Sequence, residues 1–353
     1  MSGGIAQLVA VGAQDVHLVG QPEVSFFRST YKRHTNFSQT VERQVLQGNV
    51  SNEGMSTVRL ERKGDLLNYI YLNPIDSGAT PKSNTSILNW TTVIDKVELL
   101  IGGQVIDEQD SLFTQTIAPK ILSTTYGKSK SAGIYHDGMT TGSGFYPLRF
   151  FFCENWQSAL PLISLQYHDV ELRITWGAQA AASKWEVYAN YVFLDTDERE
   201  VFASKPQNML ITQVQKAPKS SVKSQELNLN HPVKYLVTGR RGSNLPIAHE
   251  ENKVKLQING TDVADFKFVH PNFTTVSTYY HSSFADNTNN QRLFVYPFCL
   301  DTGKLQPTGS LNFSRLDSAR LISDKQNNDD DIYAVNYNVL RIENGMGGLL
   351  YSN

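Results

Sequence analysis

From residue 25 onward the chain alternates short runs of β-branched and aromatic residues with clusters of Asn, Gly, Pro and Asp, the pattern of many strands separated by turns. Val58-Arg-Leu-Glu-Arg alternates apolar with charged positions at period two, as a strand with one buried face requires. Runs at 67–72, 96–101, 150–153, 170–176, 185–194, 233–237, 253–258, 293–298 and 333–342 predict further strands. Helical periodicity is scarce. The stretch 110–122 is the best candidate, interrupted by Pro119. At the N-terminus Ile5, Leu8, Val9 and Gly12 sit at helical spacing, but Gly3, Gly4, Gly12 and Gly20 weaken any helix, so residues 1–24 read as an arm. The expected class is all-β.

The chain also repeats itself. Phe152-Cys153 recurs as Phe298-Cys299, Pro161 as Pro307, Ser164-Leu165 as Ser310-Leu311 and Asn190-Tyr191 as Asn336-Tyr337, all at one offset (299 − 153 = 146). Upstream, Lys96-Val-Glu-Leu-Leu-Ile-Gly-Gly103 recurs as Lys253-Val-Lys-Leu-Gln-Ile-Asn-Gly260 at a larger one (253 − 96 = 157). Anchors in the same order predict two copies of one β-domain, joined within 195–214. At 353 residues two cores are also what the surface-to-volume argument expects. A closed barrel, an immunoglobulin-like sandwich and an eight-stranded jelly roll each hide the edges of such a domain, and periodicity alone does not choose among them.

Composition narrows function. With 32 Lys+Arg against 34 Asp+Glu and a formal charge of -2, the chain lacks the clustered cationic excess that phosphate binding requires, so direct nucleic-acid binding is not expected. Cys153 and Cys299 are too few and too far apart for a disulfide framework or a Cys-rich zinc site, which fits a reducing compartment. No run of 18 apolar residues occurs, and the N-terminus lacks the basic and apolar regions of a secretory signal. The Asn-x-Ser/Thr triplets at Asn36, Asn49, Asn84, Asn89, Asn259, Asn272 and Asn312 are then read as composition rather than as glycan sites.

The fragments that resemble catalytic motifs are incomplete. Gly127-Lys128-Ser129 has Leu122 where a phosphate-binding loop needs glycine, and Gly142-Ser143-Gly144 lacks the spacing of a nucleophile elbow. His249-Glu250 has no second His one turn later, so no metal or other cofactor is expected. Asp329-Asp330-Asp331 reads as a solvated acidic loop before a cation site. Phe26, Phe27, Arg28, Tyr31, Lys32, Arg33 and His34 concentrate cationic and aromatic groups; they either dock an acidic partner or anionic membrane surface, or decorate a first strand. Trp90, Trp156, Trp176 and Trp185 are expected mostly in cores or subunit contacts.

Several strings resemble the major capsid protein of nucleocytoplasmic large DNA viruses, the group of iridoviruses, phycodnaviruses and mimivirus-like viruses. Gly12-Ala-Gln-Asp-Val16 followed by Phe26-Phe-Arg-Ser-Thr-Tyr-Lys-Arg-His-Thr-Asn-Phe37 is similar to the family's opening segment. The stretch from Phe150 through Asn155-Trp156 and Leu160-Pro161 to Val170 resembles its strand, Leu-Pro turn and next strand, and Phe193-Leu-Asp-Thr-Asp-Glu-Arg199 the end of its first jelly roll. Leu229-Asn-His-Pro-Val-Lys-Tyr-Leu236, Gln306-Pro-Thr-Gly-Ser-Leu-Asn-Phe-Ser-Arg315, Ala334 to Ile342 and Gly345-Met-Gly-Gly348 continue the match in family order.

The resemblance implies two tandem eight-stranded jelly rolls with an N-terminal arm: arm 1–24, first roll 25–199, linker 200–214, second roll 215–353. It implies a structural protein, not an enzyme, that forms a homotrimer, a pseudo-hexagonal capsomer tiling an icosahedral shell. Partners would be neighbouring capsomers, minor capsid proteins and an internal viral membrane surface, in a virion assembled in the host cytoplasm. The arm and its neighbour (Ile5, Leu8, Val9, and Phe26 to His34) would be the assembly segment. Connections are short for the family, which argues against an outward tower. The alternatives are a minor capsid paralogue of the same fold and a carbohydrate-binding jelly-roll protein that stacks sugars on exposed Trp or Tyr.

Overall fold

The computed structural model describes residues 12–76, 89–122, 144–240, 245–282 and 293–352. Residues Phe37–Asn353 form one compact unit and Met1–Asn36 another. In the larger unit, β1 (Phe37–Gln44), β10 (Ser183–Leu194), β4 (Leu66–Asp76) and β7 (Tyr146–Pro147) pair antiparallel in that order, with β8 (Leu160–Pro161) also beside β4. A second sheet runs β2 (Leu46–Gln47), β3 (Met55–Leu60), β9 (Val170–Trp176), β5 (Ile94–Ile101), β6 (Gln104–Asp110). The alternation predicted from sequence builds this sandwich: Val170, Leu172, Ile174 and Trp176 of β9 all point inward while the residues between them do not.

The C-terminal half repeats the order. β11 (Gln207–Ala217), β20 (Ile332–Glu343), β13 (Pro232–Gly239) and β17 (Leu293–Pro297) form one sheet, with β18 (Leu311–Asn312) on β13 and β21 (Met346–Leu349) on β20. β12 (Ser224–Glu226), β19 (Ala319–Ser323), β14 (Lys253–Ile258) and β15 (Thr261–Asp262) form the other, with β16 (Lys267–Phe268) on β14. Each half is a jelly roll of two packed sheets, with the expected eight strands supplemented by short extra pairings to ten in the first half and eleven in the second among the described residues, and the chain is a double jelly roll.

The pairing fixes which repeat anchors are equivalent. Gly102-Gly103 and Asn259-Gly260 both turn between hairpin strands with positive φ at both residues, so that anchor is structural. Asn190 lies opposite Val41 and Asn336 opposite Gln213, in matching strand pairs, which keeps the Asn-Tyr anchor. The middle anchors are displaced. Pro147 pairs Tyr71 as Pro297 pairs Tyr235, and Leu160 pairs Leu67 as Leu311 pairs Val233, offsets of 150 (297 − 147) and 151 (311 − 160) rather than 146. Phe152-Cys153, Pro161 and Ser164-Leu165 therefore do not superpose on the residues that resemble them.

Other expectations are corrected too. Residues 150–153 form a turn, closed by the Cys153 N–H donating to Phe150 O at 2.8 Å. Phe150, Phe151 and Phe152 are all buried, and three consecutive inward side chains are incompatible with the period of a strand. The 110–122 helix exists despite Pro119: a wide π-helical turn, Phe113–Ile117, runs into Ala118–Leu122, with Ala118 N–H bonded to Phe113 O. The second roll has the same device at Asn272–Val276 and Ser277–His281, where a Thr-, Tyr- and Val-rich composition masks it. The segment 200–214, expected as a linker, holds the end of a helix, Thr196–Ser204, and most of β11. Asp195 caps that helix, accepting from Thr196 N–H at 2.8 Å, and Asp197 and Glu198 lie in its first turn. The small N-terminal unit runs to Asn36.

Three apolar clusters hold the large unit. One fills the first roll and admits Ile211, Leu340 and Ile342 from the second. One fills the second roll. The third joins them, packing Phe113, Ile117 and Ile121 against Tyr235, Val237, Val295 and Tyr333.

Candidate assembly surface

Strand direction gives each roll two distinct ends. β10 starts at Ser183, opposite Asp76, and finishes at Leu194, opposite Phe37, so the chain enters the first roll at the end away from Asp76. The second roll is entered at the corresponding end, where Gln207 lies opposite Ile342. Around this base a polar clamp holds the turn between rolls. The Asp65 carboxylate accepts from Leu194 N–H at 2.9 Å and pairs with Arg199 Nε at 2.8 Å. Ser164 Oγ donates to Phe202 O at 2.6 Å and accepts from Gln207 Nε2 at 3.0 Å.

The seam above is fastened by β6 and β11. Asp107 accepts from Val214 N–H at 2.9 Å and from Gln109 Nε2 at 2.8 Å, while Gln213 Nε2 donates to Ile106 O. Burial pushes the Asp107 carboxyl up to about 7, against the pull of these donors. Farther along, Lys216 bridges Asp110 at 3.2 Å and Asp331 at 2.9 Å, and Tyr333 Oη donates to Asp110. The acidic run at 329–331 is thus largely committed internally: Asp331 to Lys216 and Asp330 to Arg240 at 2.8 Å. Among the described residues no cluster has the ligands to hold a metal ion. Gly127-Lys128-Ser129 lies outside the described residues, as does all of Gly142-Ser143-Gly144 but its last glycine.

Outward-facing aromatics mark the surface available to partners. Tyr188 stacks on Tyr71 (5.4 Å), Tyr71 neighbours Tyr69 (6.3 Å), and Trp156 meets Tyr69 edge-on (6.2 Å). Trp156 is 61% exposed, whereas Trp90, Trp176 and Trp185 form a buried chain of ring contacts. In the second roll Tyr279, Tyr280 and Leu300 are largely exposed.

The segment singled out in the sequence divides as follows. Ile5, Leu8 and Val9 lie outside the described residues. Phe26 and Phe27 stand fully in solvent at a turn closed by Arg28 N–H to Ser25 O, and Tyr31 is also exposed. Arg28, Lys32, Arg33 and His34 are exposed in irregular backbone, so they do not decorate a strand; β1 starts only at Phe37. Three large apolar side chains, Phe26, Phe27 and Tyr31, are thus left in water among cations.

Two family models divide the chain between them. One, the major capsid protein N-terminus, matches residues 25–195, and the other, the large eukaryotic DNA virus major capsid protein, matches 198–348. The chain belongs to the major capsid proteins of large eukaryotic DNA viruses. It is 36% identical to the major capsid protein of Pyramimonas orientalis virus and 31% identical to that of Paramecium bursaria Chlorella virus 1, in each case over the whole of both chains. The solved PBCV-1 VP54, a chain fitted into a reconstruction of the virophage Sputnik, superposes with a TM-score of 0.76 at 26% identity, covering 93% of this chain and 100% of that one. The exposed stretch from Phe26 to His34 falls within the first family model. Sequence reasoning missed Asp65, Asp107 and Arg199, because a buried carboxylate in a strand or turn has no signature apart from its partners.

Proposed function

We propose that this capsid protein forms a homotrimer, a pseudo-hexagonal capsomer that tiles an icosahedral shell. The observation that carries the reading is the repeated sheet order: β1-β10-β4-β7 recurs as β11-β20-β13-β17, so three chains offer six near-equivalent rolls. The catalytic motif fragments at 127–129, 142–144 and 249–250 are each incomplete, and the function proposed is structural rather than enzymatic. Native mass by light scattering at low and high salt tests it. A trimer of the 39.6 kDa chain weighs 118.8 kDa (3 × 39.6), and a salt-resistant particle of that mass is expected; a monomer under both conditions overturns the trimer.

The N-terminal unit, with Phe26, Phe27 and Tyr31 alternating with Arg28, Lys32 and Arg33, is proposed as a tether to minor capsid proteins or an anionic membrane surface beneath the shell, assembled in the host cytoplasm. Ile5, Leu8 and Val9 would belong to it. We propose Asn36 as its functional limit, with a first roll ending near Leu194 and a second starting at Gln207, a division supported by the strand bounds. Deleting 1–36 should leave a folded trimer that fails to form shells; a deletion chain that assembles normally removes the tether.

A further inference from the structure

Between the rolls lies a cavity of about 750 Å³, in the range of small-molecule sites, lined among others by Arg149, Glu154, Thr212, Lys234, Thr302 and Lys304. Its charges do not cancel. Arg149 pairs with Glu154 at 2.9 Å and Lys304 faces Asp301 at 3.7 Å. Lys234 is only 4% exposed, and its carboxylate neighbour, Asp301, acts on it from a distance without forming an ion pair among the described residues. Its ammonium donates to Thr302 O at 3.1 Å and lies 5.3 Å from the Tyr337 ring centre, which leaves two of its three N–H groups without an acceptor among the described residues. Among the described residues Arg149 Nε is likewise buried without an acceptor. A buried cation held by one carbonyl and one ring face, with Asp301 acting only at a distance, is under-compensated, and burial outweighs that attraction and pulls the Lys234 amine below its ordinary range.

We propose that this inter-roll cavity binds a small oxyanion, a phosphate or carboxylate group, whose oxygens take the free N–H groups of Lys234 and the Nε–H of Arg149. The net excess of one cation sets its charge at about minus one, and the seam position means that the bound anion ties the second roll's Lys234 to the first roll's Arg149. Such a ligand binds only the folded chain and stabilises it by mass action.

The test is thermal unfolding of the full chain in inorganic phosphate, in acetate, and in chloride at matched ionic strength, for the natural protein, Lys234→Met and Arg149→Gln. Phosphate or acetate, whichever is the better fit, should raise the midpoint by about 2–4 °C over chloride, with saturation, and the shift should vanish in Lys234→Met and shrink in Arg149→Gln. Comparing the two anions separates a phosphate source from a carboxylate source. Equal shifts in all three proteins, or none in the natural one, overturn the site. If Lys234→Met does not fold, the 13C resonance of the Lys234 side chain replaces it. Its titration midpoint should rise on adding the anion, and an unmoved midpoint refutes the proposal.

Discussion

The carboxylate of Asp107, on the edge strand of the first roll, accepts the backbone N–H of Val214, on the edge strand of the second, at 2.9 Å. Both rolls present unpaired strand edges there, and this contact, with Gln213 Nε2 donating to Ile106 O, satisfies them without continuing a sheet.

The pH dependence of that seam follows. Asp107 titrates near 7 in the folded chain and near the ordinary carboxylate value when unfolded, so its raised pKa gives stability that is fully present below the unfolded value. This is lost as pH rises towards and through about 7. The loss is on the order of a few kcal/mol at most. The natural protein should therefore unfold at lower urea at pH 8 than at pH 5.5 by a margin that Asp107→Asn reduces. Parallel pH profiles for the two proteins would refute the assignment.

The turn clamp at Asp65 makes a separate prediction. Its carboxylate is buried and serves both Leu194 N–H and Arg199, so Asp65→Ala, which leaves that N–H without its acceptor, should cost about 2 kcal/mol in urea unfolding. Arg199→Ala, at a side chain 57% exposed, should cost about 1 kcal/mol or less. Similar losses from both would show that the ion pair, not the backbone bond, holds the turn.

Neighbouring glycines separate strain from crowding. Gly102 and Gly103 have φ of 57° and 81°, but only at Gly102 would a Cβ strike another group, the His168 ring at 2.4–2.7 Å. Gly103→Ala should cost about 1 kcal/mol from backbone strain alone. Gly102→Ala should cost clearly more, read by the same unfolding curves, and relief by Gly102→Ala/His168→Ala would locate the excess in the ring.

Tryptophan emission reports the surface. Trp156 is the exposed member of the four, so Trp156→Phe should remove most acrylamide-quenchable, red-shifted emission while leaving the buried Trp90, Trp176 and Trp185 signal. Assembly into larger particles that blue-shifts the Trp156 component would place it at a contact.

The sequence by itself determined the local terms. Period-two alternation gave β9, and recurring strings, among them those ending at Gly102-Gly103 and Asn259-Gly260, showed that one domain occurs twice, because these depend on residues close in the chain. The cationic and aromatic content of 26–34 was legible for the same reason, but its irregular, exposed backbone was not. Only the tertiary structure decided the rest. Pro147 rather than Phe152 aligns with the second roll because register is fixed by the partner strand, not by letter identity. The run Phe150-Phe-Phe152 became a turn because all three rings had to reach one core. Asp107, Lys234 and Asp65 acquired their roles from groups that lie far from them along the chain, and burial, which sets the cost of each charge, exists only once the rolls have packed.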